Sequence, residues 1–177
     1  MRPLLDARAR RFGDDVNTDY VISSTRKKET IDEEVLKRYL LETIDPAFAA
    51  SVRPGDVIVA GRNFGCGSAM EVAATVILAA GIRAVVAQSF ARTFYRNAVN
   101  NGLLPIECDT SDIVEGDHVV VASRGRGVMV RNMTKGTDHD GTVPSGIAAR
   151  ILAAGGLVPY LRLKQSFGVT SDRSRTS

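Results

Sequence analysis

The sequence predicts a single α/β domain built on a mixed sheet, and three observations carry that expectation. Between residues 57 and 106, strand-like apolar runs alternate with helical patterns, which requires parallel pairing in part of the sheet. After Asp109 the pattern changes to two short strand runs either side of the turn Arg124-Gly-Arg-Gly127, the signature of a small antiparallel unit. The chain has 177 residues, 44% of them hydrophobic, which suits one core and excludes disorder of the bulk of the chain.

In order along the chain, Asp19-Tyr-Val-Ile22 is β-prone and predicts a strand. Ser23 to Glu29 is polar, carries the triplet Arg26-Lys27-Lys28, and predicts an exposed loop. Thr30-Ile-Asp-Glu33 has the form of a capping box, and Val35, Leu36, Tyr39 and Leu40 recur at helical spacing through Leu41. Asp45-Pro46 offers a cap acid before a proline at the first helical position, predicting one short turn over 47–51. Pro54-Gly55-Asp56 turns into a buried strand over 57–60. Gly61-Arg-Asn-Phe-Gly-Cys-Gly-Ser68 then leads into an alanine-rich helix over about 69–80, stopped by Gly81. A strand over 83–87, a helix over 89–99 ended by Asn101-Gly102, and a strand over 103–106 follow. Strands over 118–122 and 128–131 form the antiparallel unit, and a helix over 144–154 is stopped by Gly155-Gly156. Residues from Ser166 onward hold little to bury and predict a loose tail.

The formal charge of +3 sits at the C-terminal end. Arg162, Lys164, Arg173 and Arg175 face only Asp172 there, while the remainder holds 19 Lys/Arg and 19 Asp/Glu. A neutral body with no tryptophan does not suit nucleic acid, which wants a basic face with interleaved aromatics. No apolar run approaches a membrane span and the N-terminus lacks a signal-peptide core, so a cytoplasmic protein is expected, without a membrane partner. The two cysteines, Cys66 and Cys108, are best read as reduced thiols. With only His118 and His139 besides, and His139 placed between two aspartates as a turn residue, no metal site is expected within this chain.

The glycine-rich turn between strand and helix is the leading candidate for chemistry, because it presents backbone amides and a helix N-terminus to an approaching anion. It is not a Walker A loop, and Gly65-x-Gly67 lacks the third glycine of a dinucleotide fingerprint. Ser68-Ala-Met-Glu71 is itself a capping box, so on spacing alone Ser68 reads as a helix cap. Cys66 beside the same helix start is either an activated nucleophile or, more plainly, a small buried thiol packed between glycines. Arg92 and Arg96, four apart on one helical face, can hold a carboxylate or a partner subunit, though a solvated face is the default; Arg26, Lys27 and Lys28 read as a solvated charge run.

The block from Gly55 to Ser68 and the block Ser89-Phe-Ala-Arg-Thr-Phe-Tyr-Arg-Asn-Ala98 closely resemble the small subunits of 3-isopropylmalate dehydratase and homoaconitase, within the aconitase superfamily. Gly13-Asp-Asp-Val-Asn-Thr-Asp19, Ile44-Asp-Pro-Ala-Phe48 and Ala153-Ala-Gly-Gly-Leu-Val-Pro-Tyr160 extend the resemblance over about residues 11–164. It implies a swivelling β/β/α three-layer domain with a mixed sheet over residues 1–164, with 165–177 a flexible basic tail outside it. It also implies a large-subunit partner that carries a [4Fe-4S] cluster on its own cysteines. The reaction implied is dehydration and rehydration of a small hydroxy di- or tricarboxylate, as in leucine biosynthesis, with Ser68 as the alkoxide base. Gly65, Cys66, Gly67, Ala69 and Met70 would line the substrate, and Arg26, Lys27 and Lys28 would fall in the substrate-selecting loop, with Lys28 at the position of a carboxylate-binding arginine in homoaconitase-type subunits.

One departure stands out. The resembling subunits continue Ser-Ser-Arg-Glu-His where this chain has Ser68-Ala69-Met70-Glu71-Val72, so the serine, arginine and histidine are replaced and Met70 has no donor for a carboxylate fork. Three expectations follow: a 3-isopropylmalate dehydratase-type small subunit, a divergent hydratase subunit for another hydroxy-acid such as a homoaconitase- or dimethylmalate-like substrate, and a non-catalytic regulatory partner that retains the fold.

Overall fold

The computed structural model describes residues 3–168. Its strands are β1 (Leu5–Arg11), β2 (Val57–Ala60), β3 (Ala84–Ala87), β4 (Leu104–Cys108), β5 (His118–Arg124), β6 (Gly127–Asn132) and β7 (Thr137–Thr142). They close into a barrel in the order β1-β2-β3-β4-β7-β6-β5. The β1/β2, β2/β3 and β3/β4 pairs are parallel, with registers such as Ala9 opposite Val57 and Val59 opposite Val86. The β4/β7, β7/β6, β6/β5 and β5/β1 pairs are antiparallel. The expected mixed α/β architecture is therefore present.

The helices are α1 (Thr18–Val21), α2 (Ser24–Glu29), α3 (Glu33–Leu36), α4 (Phe48–Ser51), α5 (Val72–Ala79), α6 (Arg92–Asn101), α7 (Gly146–Ala153) and α8 (Leu157–Gly168). Strands β2 and β3 are buried at every position, as expected of parallel strands covered on both faces. Val57, Val59, Ala84 and Val86 point into the barrel against Val119, Val121, Val128 and Val130. Ile58, Ala60, Val85 and Ala87 point outward, where Ile77, Phe94 and Phe48 of the helices cover them. These two faces produce a β/β/α layering. A third small cluster, Val99, Ile151 and Tyr160, fixes α7 and α8 to α6.

Several sequence expectations are corrected. Residues 18–21 are helical rather than extended, because Asn17 accepts a hydrogen bond from the Asp19 amide at 2.9 Å and caps α1. The loop expected over 23–29 is α2, started by the Ser23 hydroxyl accepting from the Arg26 amide. Asp32, not Thr30, caps α3, which passes through a 3₁₀ turn at Lys37–Tyr39 and stops before Leu41, whose φ is +59°. The helices expected from 69 and 89 begin at Val72 and Arg92. Strands β1 and β7 and helix α8 had no counterpart in the pattern, and His139 lies on β7 rather than in a turn, 2.8 Å from Asp112. Helix α8 continues to Gly168, past the expected start of the tail; residues 169–177 lie outside the described residues. Among the described residues no single helix is long and apolar enough to cross a membrane.

Candidate functional site

The loops that follow β1, β2 and β3 meet at one end of the parallel strands, the position where ligands bind in open α/β sheets. The β1 loop and the β2 loop are braced against each other. Gly61 N donates to Gly13 O (3.0 Å), Asp15 N to Arg62 O (2.8 Å) and Gly65 N to Val16 O (2.8 Å). Side chains add Arg62 on Asp14 (2.9 Å) and Asn63 Nδ2 on Asp15 (2.8 Å). The Arg62 amide and guanidinium hold the Asp14 carboxyl below the ordinary range. Asp15 and Asn63 adopt positive φ (+53° and +59°), two of only three such non-glycine residues among those described. Such conformations persist only where their surroundings impose them, and they gather at functional sites.

The β3 loop closes the other side. Phe64 N donates to Ser89 O (3.0 Å) and Ala91 N to Phe64 O (2.9 Å), and Phe64 packs edge-on to Phe90 and Phe94. Against this wall the chain turns at Gly65 (φ +79°) and Gly67 (φ +92°). A Cβ at Gly65 would stand 2.2 Å from the Phe94 ring, and one at Gly67 would stand 2.4 Å from Asn17 Oδ1, so both positions exclude side chains on space as well as on φ.

Ser68 emerges exposed from this turn. The structure corrects its expected capping role: α5 starts at Val72 with Glu71 at the cap position and no side-chain cap. Ser68 instead lies three residues before Glu71, its carbonyl held by the Thr18 hydroxyl at 2.9 Å, and its own hydroxyl unused by any cap. Among the described residues, the amides of Gly67, Ser68 and Ala69 have no protein acceptor, which leaves three successive N–H groups free to meet an anion at the serine. Ala69 is exposed beside it and Met70 is buried at 7% exposure.

The structure does not support an activated thiol at Cys66. Burial, then the Asp15 charge, push its pKa up, so the group stays a protonated thiol at neutral pH. Of the cation triplet, Arg26 is engaged within the chain, on Glu42 (2.9 Å) and Glu29 (3.3 Å) with its guanidinium 3.9 Å over the Tyr39 ring. Lys27 Nζ rests on Met70 Sδ. Lys28 is exposed, as are Arg92 and Arg96 on α6. Asn17, Thr18, Asp14, Asp15, Asn63 and Phe94 shape the site and carry no individual role in the sequence reading. An Asn before Thr-Asp is a readable cap signal, whereas the strained pair Asp15 and Asn63 has no sequence signature.

No group of three or more His, Cys, Asp or Glu suited to a metal ion occurs among the described residues. A [4Fe-4S] cluster needs at least three thiolates, and this chain has two cysteines, one in the β2 loop and Cys108 facing the barrel interior with its pKa pushed up to about 12, chiefly by burial. The donor set among the described residues does not fit a cluster.

A mixed barrel with a two-glycine turn presenting an exposed serine at the mouth of its parallel strands defines a swivel-type domain. The aconitase C-terminal domain profile matches residues 12–111, and the chain belongs to that family. It is similar to the methanogen homoaconitase small subunit of Methanocaldococcus jannaschii, 44% identical over 92% of this chain and 94% of that protein. It is also similar to the 3-isopropylmalate dehydratase small subunit of Moorella thermoacetica, 42% identical over 91% of this chain and 96% of that protein. The crystal structure of a 3-isopropylmalate dehydratase from Methanocaldococcus jannaschii superposes with a TM-score of 0.89 at 42% identity, over 94% of this chain and 98% of that one.

Proposed function

We propose that this chain is the small subunit of a two-subunit hydro-lyase of the 3-isopropylmalate dehydratase and homoaconitase kind, with Ser68 as its base. The observation that carries the reading is the placement of Ser68: exposed, free of capping duty, and set among unbonded amides at the strand mouth. A serine hydroxyl is a weak base in water. An alkoxide is stabilised where fixed N–H dipoles point at it and water is excluded, and a partner subunit closing over the exposed turn supplies that exclusion. Ser68 Oγ then takes the carbon-bound proton as the substrate hydroxyl departs from the adjacent carbon. On rehydration it returns that proton to the carbon that had carried the hydroxyl and becomes an alkoxide again, while hydroxide, the equivalent of the group that departed, adds at the carbon first deprotonated, so the hydroxyl moves by one position.

The iron–sulfur cluster that family members generally use belongs, on this reading, to the large subunit, in keeping with the donor set of this chain. The substrate is a small hydroxy-acid carboxylate, and the compartment is the cytoplasm. Residues 1–164 form the working domain. In the complex reconstituted with its large subunit, Ser68→Ala is expected to abolish turnover of 3-isopropylmalate, citramalate or homocitrate, whichever the wild type accepts, while the two subunits still co-elute on gel filtration. Near-normal turnover removes Ser68 from the role and favours a non-catalytic partner.

A further inference from the structure

Helices α6, α7 and α8 together hold Arg92, Arg96, Arg150, Arg162 and Lys164 and no aspartate or glutamate. All five cations are exposed. Among the described residues none of them forms an ion pair, whereas Arg8, Arg26, Arg62 and Arg131 elsewhere are each held by a carboxylate. Lys164 lies over the Tyr160 ring, 5.2 Å from its centroid. Val99, Ile151 and Tyr160 pack the three helices into one unit with its own small cluster. Like charges gathered on one unit repel each other, and carboxylates brought by a partner relieve that repulsion.

Aliphatic side chains lie among these charges. Ile147, Val158 and Leu161 are 56%, 58% and 47% exposed. Val158, Leu161 and Arg162 are spaced three and four apart, so they share one side of α8, away from the buried Tyr160. Tyr160 is the one buried side chain of α8 among those described, and its enclosed hydroxyl meets no hydrogen-bond partner among the described residues. A helix seated by a single tyrosine with an unsatisfied hydroxyl is weakly anchored, so α8 gains from whatever covers its outer side. An aliphatic patch rimmed by charge is the anatomy of a protein interface.

The unit continues from the mouth that holds Ser68. Arg92 opens α6 directly after Phe90, which packs on Phe64, and Ala91, whose amide donates to the Phe64 carbonyl. A partner that closes over the Ser68 turn comes first to α6 and then to α8. Four of the five cations are arginine, whose planar fork matches a carboxylate with two hydrogen bonds at once. A phosphate backbone has nothing apolar to cover Ile147, Val158 and Leu161, and a bilayer-seated helix turns its aromatic side chains outward, whereas Tyr160 is turned in. We infer that the α6–α8 face is a docking surface for the large subunit, which meets it with carboxylates set around an aliphatic patch. The identity of that partner rests on the proposed hydro-lyase reading.

The test titrates the full chain with its purified large subunit at about 0.05 M and about 0.5 M salt. Arg96→Glu and Arg162→Glu are each expected to weaken association at least about tenfold at the lower salt and to lessen its salt dependence, with the thermal midpoint of the isolated chain unchanged. Arg126→Glu, the same charge change on the β5–β6 turn outside this face, is expected to leave the affinity within about twofold. Once the large subunit saturates, kcat is expected to stay within about twofold of wild type in all three variants. Hydrogen exchange needs no variant: the amides of α8 are expected to gain protection in the wild-type complex. Wild-type affinity in both face variants, with no gain of protection in α8, overturns the inference. So does an Arg162→Glu chain that keeps its affinity for the large subunit but loses self-association or binding to phosphatidylserine vesicles, which gives the face to a second copy or to a lipid surface. A complex that assembles with the expected sensitivity yet leaves 3-isopropylmalate, citramalate and homocitrate untouched upholds the docking face and overturns the hydro-lyase reading alone, whereas a wild-type chain that forms no complex overturns both.

Discussion

Gly65 shows how tightly the turn before Ser68 is specified. Its positive φ acts together with the Phe94 ring, which would lie 2.2 Å from a methyl group at this position. Gly65→Ala is therefore expected to cost on the order of 2–4 kcal/mol, the sum of left-handed strain and overpacking, read as a lowered denaturation midpoint. The same residue scale shows why the site was only partly readable. Gly65, Gly67 and Ser68 announce themselves as a strand-to-helix turn, but whether Ser68 caps the helix depends on where α5 begins, and helix starts vary with tertiary contacts. Here the Thr18 hydroxyl takes the Ser68 carbonyl and the helix waits until Val72. The cation triplet looks uniform in sequence, yet its three members have separate fates because α2 turns Arg26 toward Glu42 and Lys27 toward Met70.

At the scale of elements, the strands that were legible are those with apolar side chains on both faces, β2 and β3, and those with plain alternation, β5 and β6. Strand β1 was not legible because its fully buried inward residues are only the small Ala7 and Ala9, with Leu5 partly buried beside them, and Arg10 on its other face is buried by pairing rather than by hydrophobicity. Arg10 donates to Glu115 (2.7 Å) and the Ser51 hydroxyl (2.8 Å), lies 3.4 Å from Asp56, and stacks 4.6 Å from the Phe48 ring centroid. Strand β7, Thr-Asp-His-Asp-Gly-Thr, is polar throughout and is held in the sheet through backbone pairing. Asp56 ties β1 to the turn before β2 by accepting from Arg8, Arg10 and the Arg53 amide. Removing one member of a buried ion network strands the other, and because Arg10 keeps Glu115, Asp56→Ala is expected to cost about 2–4 kcal/mol. Urea denaturation at pH 7 measures it.

For the whole molecule, Asp56 and Asp117 set the acid limit of stability. Burial would raise both carboxyls; at Asp56 the Arg8, Arg53 amide and Arg10 hydrogen bonds outweigh it, and at Asp117 the Val114 amide, Asn132 and Lys135 do so, leaving both below the ordinary range. A folded pKa below the unfolded one contributes stability that is present above the unfolded value and lost as pH falls through the folded value. The chain alone is thus expected to hold a level denaturation midpoint from neutrality to about pH 5 and to lose it below about pH 4, with Asp56→Asn flattening that decline. The closed order of seven strands has a further consequence for assembly. Among the described residues every strand has a neighbour on each side, which leaves little open edge for another chain to extend, although β4 and β7 meet only at Glu107–Thr142 and Cys108–Gly141. With so little edge to extend, a large subunit is expected to recognise it chiefly through side chains of the loops and helices, so that the surface it grips and the turn that presents Ser68 can be one and the same.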